Sequence, residues 1–146
     1  MTDANAIRFN IAFILWCALF LVLGFGIAAL MKVAQGSGTV SMITTSAMIA
    51  AMLAPAGGSP VTLPFHAVYL ATAIGAGSLV GSWMNDSGFW VVCKTSGLSE
   101  RETLRGLSVM FSVMGLTGFA VTAVYGVLSA VSSPANVSRI EPSAMR

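Results

Sequence analysis

Charge placement constrains this chain more than any motif in it. No Asp, Glu, Lys or Arg lies between Arg8 and Lys32, none between Lys32 and Asp86, and none between Arg105 and Arg139. Each gap exceeds the roughly 20 apolar residues that a helix needs to cross a hydrocarbon core of about 30 Å. Of the 146 residues 56% are hydrophobic and only 8% charged, against about 25% charged in soluble domains, so the apolar excess has to face lipid. The expected class is an all-α integral membrane protein. A chain of this length holds about three or four membrane segments and no soluble domain, so residues 1–146 read as a single membrane unit.

Several function classes drop out. A formal charge of +2, scattered along the chain, does not make a nucleic-acid surface. Cys17 and Cys93 have no CxxC spacing and no cluster of His or carboxylates around them, and they read as small apolar packing residues rather than a disulfide or metal site. The first apolar run is too long for a signal-peptide core. Without a nucleophile–base pair, a phosphate loop or zinc spacing, an enzyme is not expected, and neither is a cofactor.

Along the chain, residues 9–31 (FNIAFILWCALFLVLGFGIAALM) predict a helix ending at Lys32. Helix propensity then collapses at Gln35-Gly36-Ser37-Gly38-Thr39. An apolar run resumes over residues 40–53, too short to span alone, until Pro55, Gly57, Gly58 and Pro60 stop it. Residues 9–53 therefore predict a helix–break–helix hairpin. Residues 66–94 predict a broken membrane helix, interrupted by Gly75, Gly77 and Gly81 and by the polar cluster SWMNDSG at 82–88. Ser99 and Glu102 have capping-box spacing and start a last helix over residues 99–131, followed by a polar tail, 132–146. Lys94, Arg101 and Arg105 place the 94–105 loop in the cytoplasm and residues 54–64 outside, while Arg139 and Arg146 in the tail pull the other way.

Non-helical backbone at membrane depth is tolerated where protein covers it or a water-filled cavity borders it. Both breaks are thus candidate sites, because helix N-terminal amides attract anions and freed carbonyls and hydroxyls hold cations or substrate hydroxyls. Ser37, Thr39, Asn85 and Ser87 are candidates to hydrogen-bond a substrate, and Gly36, Gly38 and Gly88 to let backbone amides approach. Asp86, a carboxylate costing about 2.5 to 3.5 kcal/mol at the centre of a membrane helix, is the candidate carrier of a proton. Lys32 either meets a substrate carboxylate or snorkels to the headgroups. The bland alternatives are a surface loop with capping glycines at the first break and, at the second, an interfacial Asp86 capping a helix that begins near Ser87. His66 reads as interfacial, and Gly77 with Gly81 as a GxxxG pair that permits close helix contact.

The runs AQGSGTVSMITTSAMIA (34–50) and AIGAGSLVGSWMNDSGFWVV (73–92), followed by SGLSERETLRG, resemble the gluconate permease family of proton-coupled symporters within the ion transporter superfamily. The resemblance implies a multi-pass protein of the cell inner membrane that takes up a sugar acid or small hydroxy acid with a proton. It implies a re-entrant helical hairpin with its tip near residues 36–39 and a broken helix near residues 85–88. Family members often carry SHVND where this chain has Ser82-Trp83-Met84-Asn85-Asp86, so a coupling role for that histidine does not transfer. Family transporters are also much longer, with two inverted halves, of which this chain would supply the second. It would then need a separate N-terminal half or copies of itself to transport. The alternative is a truncated remnant, or a small structural or regulatory membrane subunit without substrate.

Overall fold

The computed structural model describes residues 3–54 and 66–132, and all regular structure among them is helical. Helix α1 runs Asp3–Gln35 and α2 Gly38–Leu53; α3 is Ala67–Gly77 and α4 Ser87–Ser96. A short α5, Glu100–Thr103, passes through a π-helical turn, Leu104–Ser108, into α6, Val109–Ser132. Among the described residues two stretches are long and apolar enough to cross a membrane, Ile14–Gln35 and Glu100–Ser129. At about 1.5 Å per residue, the 16 residues of α2 and the 11 of α3 fall short of a span. Residues 55–65 and 133–146, where an outside loop and a polar tail are expected, lie outside the described residues.

Helices α1 and α2 pack against each other across a break of only two residues, Gly36 and Ser37. Lys32 ends the apolar run of α1, and Gly36 turns the chain at a φ of 73°, left-handed backbone that glycine adopts without a Cβ penalty. Ser37 then caps α2, its hydroxyl accepting from the Val40 amide at 3.4 Å. That cap restarts the helix at Gly38, so Gly38 and Thr39 belong to its first turn rather than to the break. Ser41, Thr45 and Ile49 form the buried stripe of α2, and the Ser41 hydroxyl donates to the Ala28 carbonyl at 2.5 Å. Helix α2 thus returns alongside α1.

Helix α3 sits between α1 and α6, and small residues let it in. A Cβ on Gly77 would overlap the Phe25 carbonyl of α1, one on Gly115 would come within 2.6 Å of the Ala76 carbonyl, and one on Gly24 would touch Leu70 and Ile74. Cys17, Leu21, Ala28, Ile49, Leu70, Ala73 and Ile74 form the core, with the rings of Phe25 and Phe119 at 4.3 Å joining α1 to α6. Cys17 and Cys93 are buried free thiols, as their packing role requires. Outward, Leu15, Leu30, Val113 and Leu128 are more than half exposed, the apolar surface that a helix presents to lipid. Gly77→Ala is expected to destabilise the fold by about 1–3 kcal/mol through overpacking. Gly26→Ala, with nothing within 4 Å of the added carbon, should be neutral or gain up to about 1 kcal/mol of helix propensity. Thermal unfolding of the two variants in detergent checks the ordering.

The second break differs from the expected one. It covers residues 78–86 rather than 85–88, and Ser87 and Gly88 are already in the first turn of α4. Gly77 wedges against α1, Ser78 caps α3, and Gly81, at a φ of 79° and pressed on Val33, carries the chain out of helix before the polar cluster begins. Gly81 is therefore not the second half of a helical GxxxG contact. The capping box forms: the Ser99 amide donates to Glu102 Oε2 at 2.9 Å and the Glu102 amide to Ser99 Oγ at 3.4 Å. The π-helical turn after it has no local sequence signature, and through it the Ser108 hydroxyl donates to the Ser82 carbonyl in the break.

Candidate functional site

The last turn of a helix leaves carbonyls without intrahelical donors, and the end of α1 meets that need from the second break. The Asn85 side-chain amide donates to the Ala34 carbonyl at 2.9 Å and the Val33 carbonyl at 3.3 Å, and Trp83 Nε1 donates to Val33 at 3.1 Å. The Gly36 amide closes on the Lys32 carbonyl at 2.8 Å. Gly36 lies against the Asn85 backbone so closely that a Cβ there would overlap it. The two breaks are in direct contact.

Lys32 and Asp86 meet at this junction. Lys32 Nζ lies 2.5 Å from Asp86 Oδ2 and donates to the Gly36 carbonyl at 3.2 Å, and the two side chains are 6% and 15% exposed. Lys32 therefore does not snorkel: Asp86 and the Gly36 carbonyl both satisfy its ammonium inside the protein. Asp86 also accepts from the Gly88 amide through Oδ1 at 3.0 Å, as the N-cap of α4. Asp86 thus caps α4 and pairs with Lys32 at the same time. Each charge has the favourable helix end beside it, the cation at the C-terminus of α1 and the anion at the N-terminus of α4.

A cavity of about 320 Å³ opens beside the pair, near the lower end of the roughly 300–1,000 Å³ of small-molecule sites. Among the described residues, Lys32 and Asp86 are the titratable ones that line it; Thr39, Ser78 and Ser82 add hydroxyls, and Gly38 and Gly88 let backbone come near. Leu79 and Val92 on one side and Leu107 and Phe111 of the π-helical turn and α6 on the other supply apolar wall. This division, apolar wall with a few convergent polar groups, is what a small polar ligand needs for both affinity and orientation.

Among the nine residues singled out in the sequence, Lys32, Gly38, Thr39, Asp86 and Gly88 line this cavity, whereas Gly36, Ser37, Asn85 and Ser87 do not. Ser37 caps α2, Asn85 holds the end of α1, and the Gly36 and Gly88 amides are taken by Lys32 and Asp86. Sequence reasoning missed Ser78 and Ser82. Their signal was two hydroxyls one helical turn apart beside glycines in an otherwise apolar run. It also missed Leu107 and Phe111, which carry no local signal because the π-helical turn sets their direction. His66, exposed, caps α3 by accepting from the Val68 amide at 3.3 Å. Among the described residues no group of His, Cys, Asp or Glu could hold a metal ion.

Comparison with known proteins falls on the same elements. The family model for GntP family permeases matches residues 12–128. The chain is 35% identical over 102 residues to a gluconate permease of Bacillus licheniformis, covering 70% of this chain and 21% of that protein. It is 35% identical over 101 residues to the high-affinity gluconate transporter of Escherichia coli K12 and 37% identical over 102 to its Gnt-II system L-idonate transporter, each match covering 67% of this chain and 22% of the relative. These relatives are permeases and transporters, not enzymes, and the chain spans about a fifth of their length. No solved structure matches. With the family match running from α1 through both breaks into α6, the chain belongs to the GntP permease family.

Proposed function

We propose that the chain is the C-terminal portion of a proton-coupled secondary transporter that moves gluconate or a related sugar acid or hydroxy acid across the inner membrane. The observation that carries this reading is a buried Lys–Asp pair at the contact of two helix breaks, opening onto a cavity of ligand size. Buried charges are costly in lipid and are kept where they meet ions or substrates. In this reading α1 and α2 form a re-entrant hairpin, residues 66–94 a broken membrane helix, and α5–α6 the terminal span of a multi-pass protein whose 94–105 loop is cytoplasmic. Lys32 meets the substrate carboxylate, Gly38, Thr39 and Gly88 meet the rest of the molecule, and Asp86 carries the proton. Gly36, Ser37, Asn85 and Ser87 hold the breaks in place around the site. A site formed between inverted repeats needs both repeats, so further polypeptide, a separate N-terminal half or other copies of the chain completes it.

The test is Asp86→Asn in the complete transporter, reconstituted in liposomes with an imposed proton gradient. The expected result is loss of gluconate accumulation against its gradient, with the protein still inserted. Accumulation at the wild-type rate would remove Asp86 from the coupling machinery. Absence of uptake by any wild-type assembly containing the chain would favour a structural subunit instead.

A further inference from the structure

Between α4 and α6 the chain carries Lys94, Glu100, Arg101, Glu102 and Arg105, and the shape of this loop is fixed from within. Gly97 ends α4 in left-handed backbone, at a φ of 64°. The Cys93 thiol donates to the Leu98 carbonyl at 3.3 Å and the Thr103 hydroxyl to the Ser99 carbonyl at 3.0 Å. Glu102 is engaged by the capping box, its Oε2 accepting from both the amide and the hydroxyl of Ser99. These bonds shape an open pocket of about 640 Å³ whose described lining comes entirely from residues 93–101, with Lys94, Arg101 and Glu100 among them. Lys94, Arg101 and Arg105 are exposed, and no described carboxylate forms an ion pair with any of them.

The level of this pocket follows from the helix that leaves it. Residues 106–131 are free of charge, and at about 1.5 Å per residue they exceed a hydrocarbon core of about 30 Å. Arg105 therefore stands at the boundary of the core and the pocket at the depth of the lipid headgroups. Apolar side chains adjoin it on the core side: Val91 and Leu98 are exposed beside the pocket, and exposed Val109 and Met110 follow Arg105 by about one turn of α6. A soluble anion has no use for such a border, whereas a lipid does, with its phosphate among cations and its chains along the helix.

We propose that the pocket formed by residues 93–101 binds one anionic glycerophospholipid, its phosphodiester held by Lys94 and Arg101 and its chains laid along the start of α6. Arg101 supplies the planar fork that suits phosphate oxygens and Lys94 a point charge beside it. Glu100 lines the same pocket and accepts from hydroxyls of a glycerol headgroup. The site needs only a bilayer, on either face, and stands or falls separately from anion transport.

The experiment is native mass spectrometry of the protein purified from its native membrane, with whatever polypeptides accompany it, after delipidation and titration with phosphatidylglycerol or phosphatidylethanolamine of the same acyl chains. The wild type should bind its first phosphatidylglycerol at least about fivefold more tightly than phosphatidylethanolamine. Lys94→Gln and Arg101→Gln together should weaken that first lipid by about fivefold per cation removed, the equivalent of about 1 kcal/mol each, and leave phosphatidylethanolamine binding unchanged. Glycerophosphoglycerol, the deacylated headgroup, should not displace the lipid at equal concentration. Equal binding of the two lipids by the wild type overturns the proposal whether or not the variant inserts, and covers the case in which other polypeptide occupies the pocket. Unchanged phosphatidylglycerol affinity in an inserted double variant overturns it as well, and displacement by glycerophosphoglycerol would make the occupant a soluble phosphate ester instead.

Discussion

Replacing Gly36 with alanine should cost at least about 3 kcal/mol of stability and scatter the contact between the two breaks. A non-glycine residue in left-handed backbone pays about 1–2 kcal/mol, and Gly36 sits at a φ of 73°. The added carbon would also overlap the Asn85 carbonyl, so Asn85 must move. Its amide holds the Ala34 and Val33 carbonyls, and each such hydrogen bond contributes about 0.5–1.5 kcal/mol net. Gly97 supplies the control within the same chain. It has nearly the same backbone, at a φ of 64°, with nothing within 4 Å of an added carbon. Gly97→Ala should therefore lose only the backbone strain of about 1–2 kcal/mol. Unfolding of both variants in mixed micelles measures the difference, and equal losses would mean that the breaks do not touch.

Lys32→Met should be comparably damaging, for an electrostatic reason. Methionine keeps the apolar stem of the lysine but leaves Asp86 at 15% exposure without a cation. Breaking a buried pair by removing one partner costs about 3–5 kcal/mol, because the remaining charge is uncompensated. The Gly88 amide still contacts Asp86, which keeps the expected loss toward the lower end. Anion binding should vanish in this variant. A loss below about 1 kcal/mol, within the range of exposed pairs, would place Lys32 at the surface after all.

What was legible in the sequence was what neighbours in sequence decide. The Ser99–Glu102 box forms because both partners lie within one turn, and the turn after Lys32 forms because Gly36 supplies its own backbone freedom. The restart of helix at Gly38 was not legible, since glycine propensity argues against it and one side-chain bond from Ser37 decides it. Where α3 ends was hidden for a different reason. Residues 78–80 are mostly apolar, and it is the approach of Gly77 to Phe25 and of Gly81 to Val33 that takes the chain out of helix. Lys32 shows the same limit at the site itself. Local reasoning sends a lysine at a helix end to the headgroups, and its partner lies 54 residues further along. The π-helical turn that brings Ser108 to Ser82 and Phe111 to the cavity likewise answers to a contact 26 residues away.

The two breaks close on each other through a buried charge pair, and a double-mutant cycle measures that coupling. Lys32→Met and Asp86→Asn are made singly and together, and unfolding free energies are compared. Asparagine caps a helix about as well as aspartate, so the N-cap of α4 stays nearly constant around the cycle and the coupling reports the charges. Each single variant strands one charge and the double variant strands neither. The two losses should therefore fall short of adding, with a coupling energy of about 2 kcal/mol or more, within the range for residues in contact. Additive losses, with a coupling energy near zero, would show that Lys32 and Asp86 do not hold the breaks together.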